Sequence, residues 1–499
     1  MNDIRRALAW AASDKYIGLG INFVFIAIIS RLLTPREIGI AAIGTAAFLI
    51  AESLRDFGVT TYVIQRAEAT LETLRTTFTL LMLSSAALAA LLFGTAPWIA
   101  QFYREPQLVT YIHVLAAGFL AGPFAGPILA LMRRDMDFGK IAVINVTSIA
   151  INAVVVVSLA LAGFSYMSIA WGGLASAASV ALMALAFRPE FRIYRLELHD
   201  WADAMAFGAI ASVTVLLNRA YESLPLLVLG RLLPFDAVAI FQRASVVCQL
   251  PDRFIMTAIA PVALPAFAAK AREGETLKEP YLRSLSYITV LQWPALIMLA
   301  ILAHPLVLVL LGPQWLSVVP LVQIMAIAYL VMFPAVLTYP VLVAANGIKD
   351  TMWASLISLP LSVVALVPAA HISLEAVALS MFFSLPLQVY VALSFIRRRV
   401  PFQWQELGAS VVKSALVTAC CVTGPMLVIA AQGFHFDIPV MLAALACILA
   451  ALGWLAGLWL TSHPLHFDLR AGVSRVLGSS LAASILGRRG QSSQGNDKP

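Results

Sequence analysis

The sequence predicts an all-α polytopic membrane protein of about fourteen spanning helices: two six-helix lobes related by an internal repeat, plus two extra C-terminal helices. Three observations predict it. Of 499 residues, 61% are apolar and 12% charged, with a mean hydropathy of +0.89, whereas soluble chains carry about 25% charged residues. The apolar residues gather into runs of about 20, the length that crosses a bilayer core. A helix–turn–helix signature also recurs 200 residues apart. Arg31-Leu32-Leu33-Thr34-Pro35 runs on to Ile38 and Ile40, and Arg231-Leu232-Leu233-Pro234-Phe235 runs on to Val238 and Ile240. Leu54-Arg55-Asp56-Phe57 has a looser counterpart in Leu250-Pro251-Asp252-Arg253-Phe254.

Taken in order, spans are expected near 8–32, 38–62, 75–100, 107–131, 141–163, 166–187, 203–230, 236–267, 284–311, 317–344, 352–370, 374–396, 408–431 and 437–461. Arg5 and Arg6 precede the first run and no small-residue cleavage site follows it, so it reads as a retained span and not a signal peptide. Connections such as Gly163-Phe164-Ser165 and Gly312-Pro313-Gln314 leave no room for a folded soluble domain. The N-lobe (helices 1–6) is expected over residues 1–200 and the C-lobe (helices 7–12) over 201–400. Helices 13 and 14 are expected over 401–462, and a basic cytoplasmic tail over 463–499. Within the tail, 467–486 has the pattern of an amphipathic surface helix, and the last ten residues are polar enough to be disordered.

Orientation follows from the basic residues. With the N terminus inside, 25 of the 33 Lys and Arg fall on cytoplasmic segments, four lie within spans, and only Arg31, Arg36, Arg104 and Arg231 fall outside. That asymmetry predicts an even span count with both termini cytoplasmic. It also assigns the net charge of +7 to anionic membrane lipids instead of nucleic acid.

Ionisable groups at bilayer depth cost about 2.5–3.5 kcal/mol even on permissive scales, so they usually face a cavity. The chain places Glu52, Arg55 and Asp56 in the second span, Asn218, Arg219 and Glu222 in the seventh, and Arg243, Asp252 and Arg253 along the eighth. Arg55, Arg219, Glu222, Arg243, Asp252 and Arg253 are therefore the cavity candidates, with Glu52 and Asp56 as candidates for ion coupling. The expected site is a hydrated, basic cleft between the lobes, where arginines hold phosphate through paired hydrogen bonds. The competing expectation is ion pairing within the bundle, which Glu52–Arg55 and Arg219–Glu222 allow by their i, i+3 spacing. Prolines cluster in the eighth span at Pro251, Pro261 and Pro265, and predict a bent, substrate-lining helix.

Other chemistry is poorly supported. There is no phosphate-binding loop; Gly139-Lys140 lacks the upstream glycine and the following Ser or Thr. Cys248, Cys420, Cys421 and Cys447 lie in apolar runs without metal or disulfide spacing, and His463 and His466 offer only two ligands, so no metal and no cofactor is expected. Asp135-Met136-Asp137 resembles a nucleotide-sugar motif, but its loop adjoins no catalytic domain.

Several segments resemble one known family. Leu131-Met132-Arg133-Arg134-Asp135-Met136-Asp137-Phe138-Gly139-Lys140-Ile141-Ala142, Arg31 through Gly39, and Asp56-Phe57-Gly58 are similar to the polysaccharide transporter (Wzx-like) family of the multidrug/oligosaccharidyl-lipid/polysaccharide superfamily. The resemblance covers roughly residues 1–400. It implies two six-helix lobes plus two helices, and a flippase, not an enzyme. The substrate it implies is an undecaprenyl-pyrophosphate-linked oligosaccharide, moved across the bacterial inner membrane for exopolysaccharide, capsule or O-antigen synthesis. The implied partners are the polymerase and export machinery of the same pathway. Members often carry an asparagine and an aspartate shortly before the second Gly-Arg; here Ser223, Leu224 and Pro225 stand there, and the nearest acid is Glu222. The alternatives are a cation-coupled multidrug exporter of the same superfamily, for which excess arginine is a poor host, and a membrane glycan polymerase, for which the loops are too short.

Overall fold

The structure, a computed structural model, describes residues 2–55, 58–65, 70–199, 201–468 and 470. Asp56 and the tail helix expected over 467–486 lie wholly or mostly outside those residues, and so does the Asn218 side chain.

The described chain is helical throughout. The first half comprises α1 (Asn2–Leu32), α2 (Pro35–Ser53), α3 (Val59–Gln65), α4 (Leu71–Tyr103), α5 (Gln107–Gly118), α6 (Gly122–Arg134), α7 (Phe138–Leu161) and α8 (Met167–Phe187). The second half begins with α9 (Trp201–Leu232), α10 (Phe235–Cys248), α11 (Leu250–Arg272), α12 (Lys278–Ile301) and α13 (Ala303–Leu310). It continues with α14 (Val319–Tyr329), α15 (Ala335–Ala344), α16 (Ile348–Ala370) and α17 (Leu374–Arg399), after which come α18 (Trp404–Ala431) and α19 (Val440–Leu460). Eleven spans among the described residues are long and apolar enough to cross a membrane, or 12 if the two parts of α11 count as one. The remaining two predicted spans are the charge-bearing helices α2 and α9. The chain is a multi-pass membrane protein.

Local chemistry sets the helix boundaries. Thr34 caps α2: its hydroxyl accepts from Glu37 N–H, Glu37 accepts from Thr34 N–H at 2.7 Å, and Pro35 fills the first helical turn. The equivalent turn before α10 uses Pro234 without a side-chain cap. Inside the eighth predicted span, α11 bends by 52° between Leu250–Thr257 and Val262–Arg272. Pro261 falls in the break and Pro265 one turn beyond it, and each lacks the N–H of a ladder hydrogen bond.

The halves meet where α1 and α9 end. One buried cluster there joins Ile29, Leu33, Ile40 and Ile43 to Leu229, Val238, Ala239 and Trp315. The other clusters each stay within one half or tie the second half to α18 and α19. Two glycines permit the approach. A Cβ on Gly39 would stand 2.1 Å from Phe235 O, and one on Gly230 would stand 2.2 Å from Ile43 Cδ1. Hydrogen bonds then stitch the junction. Trp315 Nε1 donates to Ser30 O at 2.6 Å, and Gln314 Nε2 donates to Ser30 O and to Leu33 O. From the other side, Arg31 donates to Val309 O at 2.6 Å, and Tyr103 donates to Leu227 O at 3.1 Å. Arg31 and Arg231 occupy matching helix ends; Arg231 rests over the Phe102 ring at 5.2 Å.

At the opposite end, α18 is fastened to α12. Thr289 donates to Ser414 Oγ at 2.9 Å, and Ser414 donates to Ser286 O at 3.0 Å. The segment after α19 seals this contact: His463 is buried, with Nε2 2.8 Å from Ser286 Oγ. Its Nδ1 accepts from Leu465 N–H, so Nε2 carries the proton. Burial and nearby Lys413 hold this imidazole below the usual histidine range.

Candidate functional site

A cavity of about 610 Å³ opens inside the second half of the chain. Its walls come from α9, α10, α11, α14, α16 and α17, and its lining residues all fall between Arg219 and Gln388. The cleft was expected between the lobes; this cavity lies within the second helical set, among α9, α10, α11, α14, α16 and α17.

Two guanidiniums and one carboxylate mark its charged side. Arg219 pairs with Glu222 at 2.8 Å, and the two side chains are 48% and 62% exposed, so solvent screens the pair. Arg253, one turn into α11, is exposed and has no carboxylate partner among the described residues. The three charges leave the cavity one positive charge in excess. Neutral polar groups share the lining with apolar side chains such as Leu224, Phe241 and Leu366: Gln242 and Ser245 on α10, Gln249 at its end, and Ser380, Ser384 and Gln388 on α17. Gln249 donates to Tyr329 Oη at 3.4 Å, and the Tyr221 hydroxyl donates to Gln388 Oε1.

The remaining candidates are held elsewhere. Arg243 is only 7% exposed; its guanidinium packs over the Trp315 ring at 5.6 Å and its Nε has no hydrogen-bond partner. It shares α10 with Gln242, but one residue on a helix turns the side chain by about 100°, away from the cavity and into the junction. Asp252 likewise turns from Arg253 and accepts from Gln292 Nε2 on α12. Arg55 belongs to the first half, 3.6 Å from Glu52 and 5.9 Å from the Phe119 ring centroid, with its guanidinium against Gly122. Glu52 is thus engaged by Arg55.

Inspection of charges alone missed the amides and serines. A signal was present: Gln242, Ser245 and Gln249 are spaced i, i+3, i+7, and Ser380, Ser384 and Gln388 are spaced i, i+4, i+8, so each set forms a polar stripe along one helix face.

The described residues form a cavity lined by two arginines, one glutamate, several hydroxyls and amides, and apolar side chains, inside a polytopic helical fold. The fold matches the lipid II flippase MurJ in an inward closed conformation with a TM-score of 0.71, at 12% identity, over 93% of this chain and 99% of that one. It also matches an inward-facing multidrug resistance MATE family transporter of the MOP superfamily, with a TM-score of 0.56 at 13% identity, over 81% of this chain and 95% of that one. The model of the polysaccharide biosynthesis protein family matches residues 28–320, and the chain belongs to that family. Among its relatives is the lipopolysaccharide biosynthesis protein WzxC of Escherichia coli K12, 25% identical over 322 residues, 64% of this chain. Another is the succinoglycan biosynthesis transport protein ExoT of Rhizobium meliloti 1021, 25% identical over 364 residues, 71% of this chain and 72% of its own. The match spans 65% of the length of WzxC and 64% of the Bacillus subtilis teichuronic acid biosynthesis protein TuaB.

Proposed function

We propose that this chain is a flippase that carries an undecaprenyl-pyrophosphate-linked oligosaccharide across the bacterial inner membrane by alternating access. The moving bodies are two six-helix lobes, residues 1–200 and 201–400. The segment 401–462 adds α18 and α19, and 463–499 forms a cytoplasmic tail. The observation that carries this is the cavity that joins Arg219 and Arg253 to the hydroxyls and amides of Gln242, Ser245, Gln249, Ser380, Ser384 and Gln388. Moving sugar hydroxyls through hydrocarbon costs about 4–8 kcal/mol for each stranded group on the cyclohexane scale. A polar cavity removes that barrier while the lipid tail stays in the bilayer. The guanidiniums match the pyrophosphate, since each offers a planar fork of donors to phosphate oxygens. Transport of this kind breaks no covalent bond and needs no catalytic residue.

In this proposal the end bearing Arg31 and Arg231 faces the periplasm, because the opposite loops carry most of the Lys and Arg. The stitched junction is then the closed outer side, and loading occurs from the cytoplasm. A cation exporter fits less well, since the cavity holds an excess positive charge.

The test is complementation of a glycan-export-deficient strain. Alanine at both Arg219 and Arg253 is expected to abolish surface glycan at normal protein level, and lysine at both is expected to restore it in part. Undiminished export by the double alanine variant overturns the proposal.

A further inference from the structure

A second cavity of about 350 Å³ adjoins the first. The two share two lining residues, Tyr221 of α9 and Gln388 of α17. These are hydrogen-bonded to each other where the two chambers adjoin.

The chambers differ in chemistry. Arg219, Glu222 and Arg253 line the larger, whereas the smaller has no charged group in its lining. Its polar atoms come from Thr338 and Tyr339 of α15 and from Thr351, Ser355 and Ser358 of α16, with space left by Ala335, Ala354 and Ala392. Serines and threonines often serve only to let membrane helices pack closely. Close packing would fill the space, however, and both volumes fall in the range of ligand sites, about 300–1,000 Å³. Thr338 donates to its own helix at Pro334 O, 3.2 Å away, and keeps its lone pairs as acceptors. Tyr339 is half exposed and offers an aromatic face. Hydroxyls, an amide and a ring face, without charge, suit a neutral polyhydroxyl group.

We infer that the two chambers are consecutive subsites for one glycan chain. An anionic group is held at Arg219 and Arg253, and a neutral sugar ring beyond it enters the hydroxyl-lined chamber by exchanging the Tyr221–Gln388 bond for its own. This rests on the flippase proposal and adds the ligand class of the inner chamber: an uncharged sugar at least one residue from the charged group.

The experiment measures binding to the full chain in lipid nanodiscs, with two probes: farnesyl diphosphate alone, and farnesyl diphosphate carrying a neutral disaccharide. The wild type is expected to bind the disaccharide probe about tenfold tighter, the effect of two or three ordinary hydrogen bonds. Ser355→Trp and, from another helix, Ala392→Leu fill the inner chamber. Each is expected to erase the tenfold gain and leave farnesyl diphosphate binding unchanged. Thermal unfolding identifies a variant that has failed to fold, and the other then decides. A gain that survives filling, or equal weakening of both probes by folded variants, overturns the inference. Failure of the wild type to bind either probe removes the flippase proposal itself, and this inference with it.

Discussion

Two arginines 24 residues apart, on α9 and α10, illustrate how burial decides what a charge does. Arg219 is exposed and already paired with Glu222, so the pair contributes only about 0.2–1 kcal/mol to stability. Glu222→Gln should leave the melting temperature nearly unchanged and raise the cavity's excess charge to two. Farnesyl diphosphate should then bind about fivefold tighter, the effect of roughly 1 kcal/mol from one exposed charge. Calorimetric titration checks it, and weaker binding contradicts the assignment of the mouth as an anion site. Arg243 is the opposite case: buried, without a carboxylate partner among the described residues, with its guanidinium over the Trp315 ring and its Nε unpartnered. Removing a buried, unpaired guanidinium relieves a desolvation penalty on the order of several kcal/mol, which outweighs about 2 kcal/mol lost from the cation–π contact. Arg243→Met is expected to raise the unfolding temperature in detergent; a fall shows that the charge supports the junction. From sequence, all three deep arginines looked alike because hydropathy registers charge, not rotation about the helix. Gln242, Gln249 and Gln388 escaped notice because amides do not stand out in apolar runs.

At the scale of helices, the spans and corners were legible because each has a local cause: apolar length, the Thr34 cap, the proline turns at Pro35 and Pro234, and the prolines at the α11 bend. Where the helices open a space was not legible, since it depends on which faces meet. A basic cleft was expected between the lobes, whereas the cavity described above lies among α9, α10, α11 and α17 of the second half. The junction itself is a testable element. Trp315→Phe keeps the ring but removes the N–H that reaches Ser30 O. One net hydrogen bond, about 1 kcal/mol, should shift the closed–open balance about fivefold toward open. Nitroxide labels at Leu32 and Leu316 should then show a larger population of long distances. An unchanged distribution would mean that the bond does not hold the junction.

For the whole molecule, the composition alone excluded a soluble fold, and the family match extends over 28–320. The role of the segment after α19 was not legible, because His463 acts through Ser286 on a helix 177 residues away in sequence. Its imidazole lies below the usual histidine range in the docked state, so the detached segment takes up a proton more readily. Docking is therefore complete above the usual value, about 6.5, and weakens as the pH falls through it toward the depressed one. Lys413, Arg283, Tyr287 and Asp468 surround the contact. Amide hydrogen exchange over residues 462–468 should quicken between about pH 8 and pH 5 after correction for intrinsic rates. His463→Gln should flatten that dependence, and equal protection across the range refutes the role of the imidazole.

The stitched junction also says something about how freely this protein can vary. Gln314, Trp315 and Arg31 all donate to main-chain carbonyls, at Ser30, Leu33 and Val309, and the Ser30 hydroxyl itself has no partner. A carbonyl is supplied by every residue type, so the accepting positions impose no side-chain identity beyond what fits. The donors carry the whole requirement. Drift at Ser30 and Val309 can thus proceed without loosening the junction, while Arg31, Gln314 and Trp315 cannot change without losing its hydrogen bonds.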